Sequence, residues 1–300
     1  MTTIAVDAHA VAPIRSLVFA GGGVKGLSFV GAMQVLDEEG VLAGVTGFAG
    51  ASAGAITAVL LACGYTPAEM EHIMSSMNFK TFEDGGGILS APMNVLRRFG
   101  RFRGAAFLKW VRARIADKVG DEDITFAALR QRTGKDLRVV GTNLSTRSIV
   151  VFSPDTTPDM PVSLATRISM SIPLFFEAVV HEGQTYVDGG TVWNYPLTIF
   201  DTVEDDPSTL GFHLDSSSRD ARAPQSLGTF HAHVRNLFET LQAVQVDEFL
   251  RRPDDRKRSV CIDCGDVRVT DFALDEQHKQ VLKSAGATAT RAFLLNRASG

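Results

Sequence analysis

The chain has 300 residues, with 30 lysines and arginines against 34 aspartates and glutamates, a formal charge of −4, and 45% hydrophobic residues. A chain of this length and make-up buries a core without disulfides or metal, in one large domain or two small ones. The mildly acidic balance lacks the basic excess that a phosphate backbone attracts, so nucleic acid is not an expected partner, and the cysteines, Cys63, Cys261 and Cys264, are too sparse for a secreted disulfide scaffold.

The opening MTTIAVDAHAVAPIR has no basic stretch followed by an apolar one, so a cleaved secretory signal is not expected. Residues 1–14 read as an N-terminal extension and 15–298 as one domain. A cytoplasmic location fits best, with peripheral membrane attachment or signal-independent export compatible. Residues 41–68 carry no charge and include a small-x-x-x-small pair at Gly50 and Gly54, but further glycines break their helical continuity. A buried strand, a turn and a buried helix account for the same apolarity.

In chain order, Ser16–Ala20 is a short apolar strand ended by glycines, and Lys25–Glu39 follows as a helix with Phe29, Met33 and Leu36 at helical spacing. Val45–Ala49 is a second strand, Gly54–Cys63 a buried helix, and Thr66-Pro67-Ala68-Glu69 a capping box that opens another. Together these make a βαβα unit of parallel-sheet type. The glycine-rich segment 81–104 has the make-up of a lid, and about 81–120 that of a membrane-facing insertion, with Ala105–Val119 a basic amphipathic helix. Strands are expected at Leu137–Thr142 and Ile149–Phe152, a helix near Val162–Met170, an apolar run at Leu174–Val180, and a hairpin turn at Glu182-Gly183 leading into Gln184–Asp188. A strand near Leu210–Leu214, a helix at Leu227–Leu250 and a strand at Val260–Cys264 come next. The last helix, Asp275–Asn296, carries Val281, Ala285, Ala289, Ala292 and Leu295 on one face. Cys261 and Cys264 form a C-x-x-C with no second ligand pair, which reads as core cysteines at a sheet edge rather than a metal or redox site.

Chemistry concentrates in three short segments. Gly50-Ala51-Ser52-Ala53-Gly54 matches G-x-S-x-G, a nucleophile elbow in which a serine sits on a strained strand-to-helix turn between small residues. Gly21-Gly22-Gly23-Val24-Lys25-Gly26 follows the preceding strand, and two parallel neighbouring strands deliver both turns to one carboxyl edge. Glycines 21–23 can expose amides to a developing oxyanion, with Lys25 adding positive charge. The hexapeptide also satisfies G-x-G-x-x-G, but the next strand runs into Phe48-Ala49-Gly50 and a serine where a dinucleotide fold needs an acidic residue. Serine needs a proton acceptor. The candidate is Asp188, at the end of a strand and before Gly189 and Gly190.

These segments in this order, with Ser169–Pro173 before the aspartate strand and Asn194-Tyr195-Pro196 after it, closely resemble the patatin-like phospholipases of bacterial type. The likeness runs from about Ser16 to the final helix. It implies a three-layer α/β/α fold with a central, mostly parallel sheet. It also implies a Ser-Asp dyad, with Ser52 the nucleophile and Asp188 the general base. The oxyanion hole would come from the glycine loop Gly21–Gly23 with Lys25, and from Ala53 after the nucleophile. Gly26, Gly50, Gly54, Gly189 and Gly190 complete the motifs. Lys25 stands where the family carries Arg or Lys, and Ala20 replaces the aspartate of plant members. The implied activity is that of a serine lipid acyl hydrolase, a phospholipase A or lysophospholipase-type esterase on a phospholipid or other lipid ester, without cofactor or metal.

Two rival readings follow from the residues. A Ser-His-Asp triad would draw on His213, His231, His233 or His278, all after Asp188. A non-catalytic membrane-binding protein on the same fold would rest on Arg97, Arg98, Phe99, Arg101, Phe102 and Arg103, whose charges and rings suit a peripheral membrane surface.

Overall fold

A computed structural model of the chain describes residues 12–77, 79–85, 99–215, 229–269, 271 and 273–299. Most of the expected N-terminal extension, the middle of the expected lid with Arg97 and Arg98, and the side chain of His231 lie outside the described residues.

β1 (Ser16–Phe19) is an apolar run buried at every position. A tight helical turn, Gly23–Leu27, leads into α1 (Ser28–Glu38), where Phe29, Met33 and Leu36 are buried as their spacing predicts. β2 (Gly47–Ala51) and α2 (Ala53–Ala62) are interior along their whole length, which explains the uncharged stretch. Among the described residues no helix is long and apolar enough to cross a membrane. α3 (Pro67–Ser76) starts on the expected capping box: Thr66 Oγ1 accepts from the Glu69 amide, and the Glu69 carboxylate accepts from the Thr66 amide. Next come β3 (Gly100–Phe102), α4 (Ala105–Val119), α5 (Phe126–Thr133), β4 (Asp136–Asn143), β5 (Ser148–Phe152) and α6 (Val162–Ser169). The apolar run after it divides into β6 (Leu174–Phe176) and β7 (Val179–His181), and β7 turns at Glu182-Gly183 into β8 (Gln184–Asp188). β9 (Thr209–Asp215), α7 (Phe230–Leu250), α8 (Pro253–Lys257), β10 (Ser259–Asp263) and α9 (Glu276–Ser299) complete the described elements.

The central sheet has the order β10-β9-β1-β2-β4-β8-β7, with β5 also on β4. From β10 to β4 every pairing is parallel, and β5, β8 and β7 add antiparallel ones. Helices cover the sheet in a three-layer α/β/α arrangement, so its inner strands read as continuous apolar runs rather than alternating ones. The registers on β4 set the site. Along one edge of β4, β2 pairs with Asp136–Val140 and ends at Ala51 opposite Val140; on that same edge β8 pairs with Gly141–Asn143, with Asp188 opposite Gly141. The other edge of β4 holds β5. β2 and β8 therefore meet end to end, and Ser52, the residue after β2, arrives beside Asp188.

Two expectations need correction. The buried face of α9 is Leu282, Gly286 and Thr290, while Val281 and Leu295 are 59% and 70% exposed. Contact with α1 sets this rotation, because the helices touch backbone to backbone. A Cβ on Gly31 would lie 2.0 Å from the Lys283 carbonyl oxygen, and one on Gly286 would lie 1.9 Å from that of Ser28. The C-x-x-C is not wholly in the core: Cys264 is buried, but Cys261 is exposed on the edge strand β10, and all three thiols are free.

Candidate active site

Ser52 connects β2 to α2 with φ 53° and ψ −124°, a backbone region that L-residues avoid at a cost of about 1–3 kcal/mol. The flanking glycines make the turn feasible. A Cβ on Gly50 would fall 2.4 Å from the Gly54 carbonyl carbon, and one on Gly54 would fall 2.3 Å from the Phe19 carbonyl oxygen, so the elbow lies flat against its own helix and the end of β1. A polar relay locks it: the Ser52 amide donates to Ser169 Oγ at 2.9 Å, and that hydroxyl donates to the Val140 carbonyl at 2.7 Å. The Ser52 hydroxyl points at Met170 Sδ, 3.6 Å away, a weak acceptor that leaves it available for another.

Asp188 is 1% exposed and Ser52 4%. The Asp188 amide donates to the Ser171 carbonyl at 3.0 Å, its carbonyl accepts from Thr142 Oγ1 at 3.0 Å, and its Oδ1 accepts from the Gly190 amide at 2.6 Å. Oδ2 is buried with no hydrogen-bond partner among the described residues. Burial pushes this carboxyl up to about 7, against the opposing pull of the Ser52 hydroxyl and the Gly190 amide. The register of β2 and β8 on β4 brings Ser52 beside this carboxyl, although the hydrogen bond of its hydroxyl goes to sulfur.

The glycine loop separates into used and unused amides. Gly21 N donates to the Asn194 carbonyl at 2.9 Å and Lys25 N to the Gly22 carbonyl at 3.2 Å, which removes those two amides from the expected oxyanion hole. The amides of Gly22, Gly23 and Ala53 make no hydrogen bond among the described residues. Gly23 has φ +54°, and a Cβ there would lie 2.0 Å from the Val269 carbonyl oxygen, so only glycine fits. Gly26 packs on Ala53, where a Cβ would come within 2.9 Å of the alanine methyl. The Lys25 side chain is buried near Cys264, whose thiol its charge pulls down against a larger effect of burial.

Asn194 joins the two loops: its carbonyl takes the Gly21 amide, its Nδ2 donates to the Gly21 carbonyl at 3.2 Å, and its own amide donates to Gln245 Oε1 at 2.7 Å. Gln242 Nε2 donates to Asn194 Oδ1 at 3.4 Å, and Gln245 Nε2 reaches the carbonyls of Gly190 and Thr191. Both glutamines come from α7. Sequence reasoning passed over them, although two amides three residues apart in the otherwise apolar LQAVQV were a readable sign of a helix face turned to polar loops.

Other expected residues lie elsewhere. His213 is buried on β9, stacked on Phe249 at 4.7 Å and edge-on to Tyr195 at 5.2 Å. His233 is exposed, and the exposed His278 pairs with Asp275. Among the described residues no histidine is hydrogen-bonded to Ser52 or Asp188. Phe102, expected at a membrane surface, is instead buried against Phe175 and Phe176, because β3 pairs with β6 and alternation turns this ring inward. Phe99 is 66% exposed, and Arg101 and Arg103 are exposed too.

Residues 17–201 match the model of the family described as patatin-like phospholipase. A Bacillus subtilis protein, YqhO, is 31% identical over 92% of this chain and 97% of its own length. The probable lipid hydrolase 463L of invertebrate iridescent virus 6 is 28% identical over 62% of each chain. Among solved structures, VipD from Legionella pneumophila superposes with a TM-score of 0.66 at 16% identity, over 95% of this chain and 67% of that one. ExoU from Pseudomonas aeruginosa, in complex with SpcU, gives 0.61 at 22% identity, and this chain spans 97% of itself but only 53% of ExoU.

Proposed function

The chain belongs to the patatin-like phospholipase family, and on that premise we propose that it is a serine lipid acyl hydrolase working through Ser52 and Asp188. The observation that carries this reading is the buried Asp188 carboxyl, with one oxygen unpaired among the described residues, at the end of the strand that meets β2 and Ser52 end to end. Rotation of that hydroxyl from the Met170 sulfur to Oδ2 creates the nucleophile–base pair.

In the proposed reaction Ser52 Oγ attacks the ester carbonyl carbon while its proton passes to Asp188. The carbonyl electrons move onto oxygen, where the Gly22, Gly23 and Ala53 amides stabilise them. Loss of one such donor in serine hydrolases costs about 3 kcal/mol of barrier. Collapse expels the alcohol part of the lipid, which takes the proton from Asp188. Water then attacks the acyl-serine, giving its proton to Asp188, and the fatty acid leaves as Ser52 recovers its hydrogen. The fixed amides do not reorganise as charge develops, which is where a preformed turn is most effective. The exposed Phe99, Arg101 and Arg103 suit this reading, since they can meet the surface of an anionic lipid aggregate.

A fluorophosphonate probe is expected to label the chain at Ser52 and not to label Ser52→Ala. Turnover of a phospholipid or lysophospholipid is expected to fall by about a thousandfold or more in Ser52→Ala and in Asp188→Asn, with far-ultraviolet dichroism retained. Full turnover in either variant overturns the dyad, and an unlabelled wild-type chain favours a non-catalytic role.

A further inference from the structure

We infer that Gln245, on α7, is a positioning residue for the proposed hydrolysis, holding the loop that carries the base and the glycine loop that receives the oxyanion at a fixed separation through Asn194. The inference rests on the lipid-hydrolase reading and deepens it. Residues 188–194 join the two loops. At one end the Gly190 amide donates to Asp188 Oδ1 at 2.6 Å; at the other Asn194 grips Gly21, its carbonyl accepting the Gly21 amide at 2.9 Å and its Nδ2 donating to the Gly21 carbonyl at 3.2 Å. Between these ends the segment closes on itself only at Gly189, whose carbonyl accepts from the amides of Val192 and Trp193. The Asn194 amide and the carbonyls of Gly190 and Thr191 have no backbone partner among the described residues.

The Gln245 side chain serves all three. Its Oε1 accepts from the Asn194 amide at 2.7 Å, and its Nε2 donates at longer range to the carbonyls of Gly190, at 3.5 Å, and Thr191, at 3.4 Å. One side-chain amide thus completes the hydrogen bonding that the loop's own backbone leaves open. The Asn194 side chain lies beside both members of the proposed dyad. A Cβ on Gly21 would collide with its Oδ1 and lie 3.2 Å from Ser52 Cβ, and one on Gly190 would lie 2.5 Å from the same oxygen and 3.0 Å from Asp188 Oδ1. A displaced Asn194 therefore carries the Gly21 backbone with it, and so moves the adjoining amides of Gly22 and Gly23 relative to Ser52. α7 also packs on β6 and on the turn Gly189–Thr191, so loss of this one amide slackens the loop without releasing the helix. Oxyanion stabilisation depends on donors fixed in advance, and a misplacement of about 1 Å costs on the order of a hundredfold in rate.

The test follows para-nitrophenyl butyrate and its thionoester in wild type, Gln245→Met and Val244→Ser, with active sites counted by fluorophosphonate titration of Ser52. Sulfur is a weak hydrogen-bond acceptor, so the preference for the oxygen ester reads the oxyanion contact itself. Partial unfolding removes sites and leaves that preference unmoved. In Gln245→Met, which keeps the length and loses the amide, kcat per titrated site is expected to fall by about tenfold to a hundredfold with KM within about twofold, and the preference for the oxygen ester falls with it. Val244→Ser, at the exposed neighbouring position, leaves all three unchanged. Should Gln245→Met fail to fold, Gln245→Glu takes its place: it keeps the acceptor for the Asn194 amide and loses the two donors, and a smaller loss of the same kind is expected. A folded variant with unchanged kcat, or with a lowered kcat and the full preference for the oxygen ester, overturns the inference. Wild type that neither labels nor turns over the ester rejects the dyad and the inference together, whereas wild-type labelling with unaltered kinetics in the folded variant rejects the inference alone.

Discussion

On the proposed reading, the carboxyl of Asp188 sets the balance between activity and stability at one position. A buried acid held near 7, against an ordinary value of 3.8, is protonated in the folded chain at acidities where the unfolded chain has lost the proton. Stability therefore falls as pH rises from about 4 to about 7 and levels off above, by an amount on the order of a few kcal/mol. In the proposed dyad the base exists only above that window, so kcat/KM is expected to rise with an acid limb near pH 7 rather than near 4. Asp188→Asn keeps an acceptor for the Gly190 amide and removes the buried charge. It is expected to unfold at a higher temperature than wild type at about pH 8, with the gap closing toward about pH 5. Scanning calorimetry at the two pH values checks this, and a destabilised variant at both contradicts it. Ser52 and Asp188 were legible in the sequence because their turns demand glycine neighbours, which are visible as letters. Gln242 and Gln245 were legible only in part, because two amides three residues apart in LQAVQV mark a polar helix face but nothing local names the loops that it meets.

Helix packing shows where apolar pattern misleads. On α9 two large apolar residues, Val281 and Leu295, are exposed while Leu282, Phe293 and Leu294 pack inward, and the contact with α1 runs through Gly31 and Gly286. Glycine at both positions lets the two backbones approach closely, so that one helix lies tightly on the next. The same contact makes a strong prediction: in Gly286→Val the new Cβ would collide with the Ser28 carbonyl oxygen, which belongs to backbone and cannot turn aside. A loss of about 3 kcal/mol in denaturant unfolding is expected, whereas Ala292→Val, on the exposed side, changes stability by less than about 0.5 kcal/mol. Strand order of the βαβα unit and the hairpin were readable from period and turn residues. The break of Leu174–Val180 into β6 and β7 was not, because Glu177-Ala178 carries no turn signal, and the pairing of β6 with β3 is a long-range choice.

At the scale of the molecule, the remaining question is how a surface strand is tied to a buried dyad, and Arg167 on α6 is the tie. It is 5% exposed, and its guanidinium donates to Ser171 Oγ, to the Arg103 carbonyl at 2.6 Å and to the Glu177 carbonyl at 3.0 Å, over the ring of Phe176. Burial pulls this guanidinium down to about 10, while the charges of Asp84 and Glu177 support it. Asp84 in turn accepts from the amides of Gly104 and Ala106, 2.7 Å each, so the end of β3, the start of α4 and the segment Ser169–Ser171 are held as one body. That segment receives the Ser52 amide and the Asp188 amide. Arg167→Met would strand several buried acceptors, and a loss of about 3–5 kcal/mol is expected. Arg167→Lys is not expected to rescue it, because a single ammonium cannot span acceptors arranged for a planar fork. If the tie also sets the elbow, fluorophosphonate labelling of Ser52 slows in both variants under conditions where they remain folded. Labelling at the wild-type rate in a folded Arg167→Lys chain would confine Arg167 to stability alone.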